Sequence, residues 1–177
     1  MNALAANFRR LNEWLAVAAG LLLLLSVLVT LFDIVARPFG LSLGGTDELS
    51  GYAMAISTSW GISYALTSLS HVRIDLLRSR CRSKGQALFD TVAILALSGS
   101  ALVIAYRAWP VLAKTIKNGS TANTTLETPL WIPQSLWLAG WFWFAISAVV
   151  IALCVLTNLV KGKFDDVNEI AGLRSES

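Results

Sequence analysis

The sequence predicts an all-α membrane protein built from four transmembrane helices. Three observations lead there. Four long apolar stretches are separated by short polar or basic ones. Charged residues make up 14% of the chain and hydrophobic ones 55%, whereas soluble domains carry about 25% charged residues. The basic residues gather at alternate ends of the apolar stretches. The mean hydropathy of +0.63 agrees. The expected spans are residues 12–36, 47–69, 86–109 and 131–160, inside one membrane domain of residues 1–163. A flexible cytoplasmic tail, 164–177, follows.

The first span rests on residues 14–32, which hold no charge. That is longer than the ~7–15 residue core of a signal peptide, so it reads as a retained helix. It ends in Asp33-Ile-Val-Ala-Arg37-Pro38. Asp33 and Arg37 lie four apart on one helix face and can pair, as an interfacial ion pair worth under ~1 kcal/mol. Pro38 stops the helix.

The second span is the stretch around which the rest is organised. It opens with Gly44-Gly45, then Thr46 as an expected N-cap, then Asp47 and Glu48 in the first turn, where the helix dipole favours carboxylates. The charge-free run that follows is about twenty residues, enough for a ~30 Å hydrocarbon core. Ala53, Ser57, Gly61 and Ala65 recur every fourth position and make a small-residue stripe. Such a stripe packs against protein, either this chain's own helices or a second subunit.

Residues 70–84 carry Arg73, Arg78, Arg80, Arg82 and Lys84 against one acid, Asp75. On a helix His71, Asp75, Arg78 and Arg82 share a polar face, which predicts a short amphipathic helix in the headgroup layer between spans two and three. The alternation from His71 to Leu76 would also suit a strand, for which no partner is evident.

The third span contains Asp90, about a turn inside this basic cluster and able to pair with one of its arginines; the other reading of an intramembrane acid is an ion path. Tyr106, Arg107 and Trp109 mark the far interface, and Pro110 is expected to break or kink the chain. A polar link over residues 111–128 holds Asn118-Gly-Ser and Asn123-Thr-Thr, which match glycosylation sequons. Pro129-Leu-Trp131-Ile-Pro133 leads into the fourth span with Trp137, Trp141 and Trp143 behind it. Residues 128–160 hold no charge. As a helix they would be ~50 Å long, well beyond a ~30 Å core, so the helix tilts or extends past it.

Arg9/Arg10, the 73–84 cluster and Lys161/Lys163 fall on one side of a four-span chain. The positive-inside rule makes that side cytoplasmic, with both termini there. Cys81 and Cys154 then lie toward the reducing side, and no structural disulfide is expected. The net charge of +3, distributed this way, points to membrane lipid and not to nucleic acid. With one histidine and no nucleophile–base arrangement or phosphate loop, neither an enzyme nor a metal or cofactor site is expected. The spans also lack the midplane polar groups or broken helices of a stand-alone transporter. The chain reads as a subunit of something larger, with no catalytic or substrate-binding residues of its own.

Several segments resemble a known family. They are Asp33-Ile-Val-Ala-Arg37 closing span one, Gly45-Thr46-Asp47-Glu48-Leu49-Ser50 opening span two and Gly61 within it. His71-Val-Arg-Ile-Asp75-Leu-Leu follows, and then the Pro-x-Trp-x-Pro entry to span four with Gly140. In this order and spacing, over about residues 10–160, the chain resembles the small (Q-type) membrane subunit of the tripartite ATP-independent periplasmic, or TRAP, transporters. The resemblance implies a scaffold bound to a large multi-pass M-type subunit in the bacterial inner membrane. That subunit carries the Na⁺ and substrate sites and moves as an elevator. A periplasmic binding protein captures the substrate, an organic acid carboxylate, and docks transiently on the outer face. Arg37, Asp47 and Glu48 become candidate assembly or docking residues at the outer ends of spans one and two, with Arg37 and Glu48 pairing with each other or facing the binding protein. His71 and Asp75 would position the interfacial helix. The alternative is a four-helix membrane adaptor unrelated to transport.

Overall fold

The computed structural model describes residues 2–41, 43–68, 83–124, 126–164 and 167. Four α-helices occupy nearly all of it: α1 Asn2–Ala36, α2 Thr46–Thr67, α3 Ser83–Asn118 and α4 Trp131–Val160. The interfacial helix expected between spans two and three, with His71 and Asp75, lies outside the described residues. So does most of the tail.

The helix ends follow local chemistry. Pro38 ends α1 in a single 3₁₀ turn, Arg37–Phe39. Gly40, at φ +75°, then donates its N–H to Arg37 O at 3.0 Å while Leu41 donates to Ala36 O at 3.2 Å. This pair of bonds satisfies carbonyls left open at a helix C-terminus. The same two bonds close α3 at Gly119 and α4 at Gly162.

α3 does not break at Pro110 but continues to Asn118. Ala101, Ala105, Ala108, Leu112 and Thr115 are all buried, at spacings of three and four on both sides of the proline. One continuous packed face therefore carries the helix through the lost hydrogen bond, and the link to α4 begins only at Gly119.

Phe8–Phe39, Lys84–Asn118 and Trp131–Val160 are each long and apolar enough to cross a membrane. α2 has 22 residues, a spanning length, but its serines and threonines keep it out of that apolar class.

The helices pack as a row in the order α1, α2, α4, α3. Two antiparallel hairpins, α1–α2 and α3–α4, stand side by side with α2 and α4 parallel in the middle. Small residues set the spacing. Ala87, Ala101, Ala105, Ala145, Ala148 and Ala152 fill the buried cluster along α3 and α4 around Ile94, Phe144 and Val155. Between α2 and α4 a glycine lets the backbones approach closely. A Cβ placed on Gly140 would lie 2.3 Å from Ser59 Oγ and 2.9 Å from the Ser59 carbonyl carbon.

Two residues of the segment expected as a flexible tail are described. Val167 is fully buried in the same cluster, Phe164 packs against it, and the Lys84 ammonium sits 5.5 Å from the Phe164 ring centre.

Candidate functional site

At the end of the row where α1 meets α2, Asp33 forms a hub. Its Oδ2 accepts from Arg37 Nη2 at 2.7 Å and from Arg37 Nε at 2.9 Å. Thr46 Oγ1 donates to the same oxygen at 3.1 Å, and the Leu43 N–H donates to Oδ1 at 2.7 Å. The Asp33 side chain is fully buried while that of Arg37 is 53% exposed. The ion pair expected from the four-residue spacing is therefore present, but it is more than an interfacial contact. The carboxylate also ties the 37–45 turn and the first residue of α2 to the end of α1. Charge-assisted bonds of this kind are about twice as strong as neutral ones.

Thr46 was the expected N-cap of α2, yet its hydroxyl is spent on Asp33. The capping position belongs to Gly45, at φ +73°, with no side-chain bond. Gly45 has a second reason to be glycine: a Cβ there would meet Leu126 Cδ1 at 2.5 Å. Leu126 belongs to the α3–α4 turn, so the two turns of this end interlock.

Glu48 joins them by hydrogen bonds. It accepts from Tyr52 Oη at 2.5 Å and from the Thr124 hydroxyl. Arg37 and Glu48, read as a possible pair, are each engaged elsewhere, the first by Asp33 and the second by Tyr52 and Thr124. Asp47 is exposed, and its backbone carbonyl accepts from Ser50 Oγ at 2.9 Å.

The small-residue face of α2 divides. Ala53 and Ser57 are buried, and Ser57 Oγ donates to Ala19 O of α1 at 3.0 Å. Gly61 is only partly buried, with open space where a Cβ would be, and Ala65 is partly buried as well. The face that meets α4 is a different one, carrying Ser59, Ser63 and Leu66. Its small residues Ala55, Ser59, Ser63 and Thr67 also recur every fourth position, so spacing alone does not choose between the two faces. Two long-range bonds fix the row further. Trp60 Nε1 donates to Leu136 O at 3.0 Å, and Trp143 Nε1 donates to Oδ1 of the buried Asn12 at 2.9 Å. Thr124, Asn12 and Gly140 were not legible as partners, because each contact depends on helix order, whereas the Tyr52–Glu48 bond is local, one turn apart within α2.

A family model described as tripartite ATP-independent periplasmic transporters, DctQ component, matches residues 26–158. The chain belongs to the DctQ family. The match runs from within α1 to near the end of α4, so it includes Asp33, Arg37, Thr46, Glu48, Tyr52, Thr124 and Gly140. Comparison with the curated proteins and with the solved structures finds no match. As a DctQ component the chain is one part of a multi-component transporter and works with the other components. The family is one of transporter components and not of enzymes. Its long apolar helices make it a multi-pass membrane protein.

Proposed function

We propose that this chain is the non-catalytic scaffold subunit of a Na⁺-coupled, binding-protein-dependent secondary transporter that takes up organic acids. It anchors the large M-type subunit in the bacterial inner membrane, and its 37–45 and 119–130 turns help form the surface on which the periplasmic binding protein docks. In this reading α2 is the fourth span and both termini are cytoplasmic.

The observation that carries the reading is the open row. Here none of the most apolar stretch of α1 is buried within the chain, and Leu21, Leu25, Leu28 and Phe32 are all more than half exposed. An edge helix with one face packed on α2 and the other left bare supplies the kind of flat face that a larger membrane subunit can cover. The hub at Asp33 and the Glu48 bridge support the docking role, because they hold both turns of one end as a unit.

The test is co-purification from native membranes with the chain tagged. A stable one-to-one complex with a large polytopic protein supports the scaffold role. A chain that runs alone, or only with copies of itself, rejects it.

A further inference from the structure

Three contacts fix the height of each helix in the row against the next. Ser57 of α2 bonds to Ala19 of α1. Gly140 of α4 lies against Ser59 of α2. Phe142 of α4 meets Trp109 of α3 edge to face at 6.5 Å between ring centres. Charged and aromatic residues mark where a helix leaves the hydrocarbon. Toward the hub end those marks are Asp33 in α1, Glu48 in α2, Trp131 in α4 and Trp109 in α3.

The marks do not stand at one height. At 1.5 Å per residue, Asp33 lies about 21 Å beyond Ala19, but Glu48 lies about 13.5 Å beyond Ser57. Glu48 lies about 16.5 Å beyond Ser59, but Trp131 lies about 13.5 Å beyond Gly140. Trp131 lies about 16.5 Å beyond Phe142, whereas Trp109 is itself the mark on α3. This boundary descends at every step, by about 27 Å across the row. The opposite boundary descends in the same sense: Trp14 lies about 8 Å from Ala19, and Lys84 about 37 Å from Trp109.

We propose that the row sits obliquely in the bilayer, its helices inclined by about 40° within the plane of the row. Neighbouring helices are about 8–10 Å apart, so a descent of about 27 Å over three gaps requires an inclination of this size. Helix length gives the same answer independently. α4 has 30 residues, about 45 Å, and overshoots a ~30 Å core when upright; inclined by about 40° it spans about 34 Å. That angle is at the top of the range for membrane helices, about 0–40°. It lifts the last two turns of α3, with the exposed Lys114 and Lys117, out of the hydrocarbon. An upright row centred on α1 and α2 would sink both lysines into it. The α3 end of the row therefore stands furthest into water at the hub end, while the 37–45 turn stays at the membrane surface. The inference rests on the reading of all four helices as spans and not on the transporter assignment.

The test places single spin labels on α3 in the native complex, in vesicles. Leu88→Cys, Leu95→Cys, Leu102→Cys, Trp109→Cys and Ile116→Cys are made one at a time in a Cys81→Ser, Cys154→Ser background. These five positions are exposed and follow one face of α3 at seven-residue steps. Depth is read from the ratio of collision rates with oxygen, which concentrates in hydrocarbon, and with a nickel chelate, which stays in water. A ratio survives partial shielding by a neighbouring subunit. The labels at Leu95→Cys and Leu102→Cys should be deepest and that at Ile116→Cys should be in water, with depth changing by about 8 Å per step between Leu102 and Ile116. A deepest label at Trp109→Cys or Ile116→Cys would overturn the proposal, and so would steps of about 10.5 Å, the value for an upright helix. The four leucine and isoleucine positions alone separate these outcomes, should Trp109→Cys disturb assembly.

Discussion

The Thr124 hydroxyl donates to Glu48, joining two turns that lie 76 residues apart in the chain. One turn connects α1 to α2 and the other connects α3 to α4, so this bond and the Gly45–Leu126 contact lock the two hairpins together at one end. Coupling between Glu48 and Thr124 is the first prediction. In a double-mutant cycle, Glu48→Gln with Thr124→Val should lose less than the sum of the single changes, with a coupling of at least about 0.5 kcal/mol. SDS titration of the purified chain in mild detergent measures it. Strict additivity would separate the two turns energetically.

The Asp33 hub predicts an order of effects. Asp33→Ala removes the acceptor for Arg37, Thr46 and the Leu43 N–H together, and should cost about 2–3 kcal/mol. Arg37→Ala leaves Asp33 its bonds from Leu43 and Thr46 and removes only a half-exposed cation, so it should cost less than Asp33→Ala, about 1–2 kcal/mol. The same titration checks the order. If Arg37→Ala costs as much as Asp33→Ala, the ion pair alone holds the turn.

Gly140 predicts a steric effect with a specific partial rescue. Gly140→Ala sets a methyl against Ser59 Oγ at 2.3 Å and against the Ser59 backbone at 2.9 Å. Overpacking of this kind costs about 1–3 kcal/mol. Adding Ser59→Ala relieves the hydroxyl but not the backbone, so the double variant should recover only part of the loss. Full recovery would mean that the α2–α4 backbones have room to spare.

Trp143→Phe leaves Asn12 Oδ1 without its indole donor in a buried site, at a cost of about 1 kcal/mol. Asn12→Leu combined with Trp143→Phe removes both polar partners, and the double variant should be more stable than Trp143→Phe alone. Intrinsic tryptophan fluorescence during unfolding follows both. A double variant weaker than the single would show that Asn12 has some other essential role.

Much of the candidate site could be read from the chain because it is local. Asp33 and Arg37 are one helical turn apart, and Asp47 and Glu48 fall in the first turn of the helix they open. The rest of the site is not local. Thr46 looked like a cap because threonine before a pair of acids is a cap signal, but a buried carboxylate thirteen residues upstream outcompetes the backbone for its hydroxyl. Of the stripe from Ala53 to Ala65 only Ala53 and Ser57 are buried, while Ser59, Ser63 and Leu66 are buried on another face. The face holding Ser59 is as small and polar as its neighbours and carries no separate signature.

By itself the sequence determined that this chain has long apolar helices, where most of them stop, and which carboxylate and guanidinium pair at the end of the first. These follow from hydropathy, from glycine and proline at the ends, and from the 3.6-residue turn. Only the tertiary structure decided the order α1, α2, α4, α3, the passage of α3 through Pro110, the contact of Gly140 with Ser59 and the second and third bonds of Asp33. The physical reason is the solvent. In water a polar face tells a helix which side to bury. In a membrane almost every face is apolar, so hydrophobic periodicity loses its power to choose. Close fit between small residues and a few buried hydrogen bonds select the packing instead.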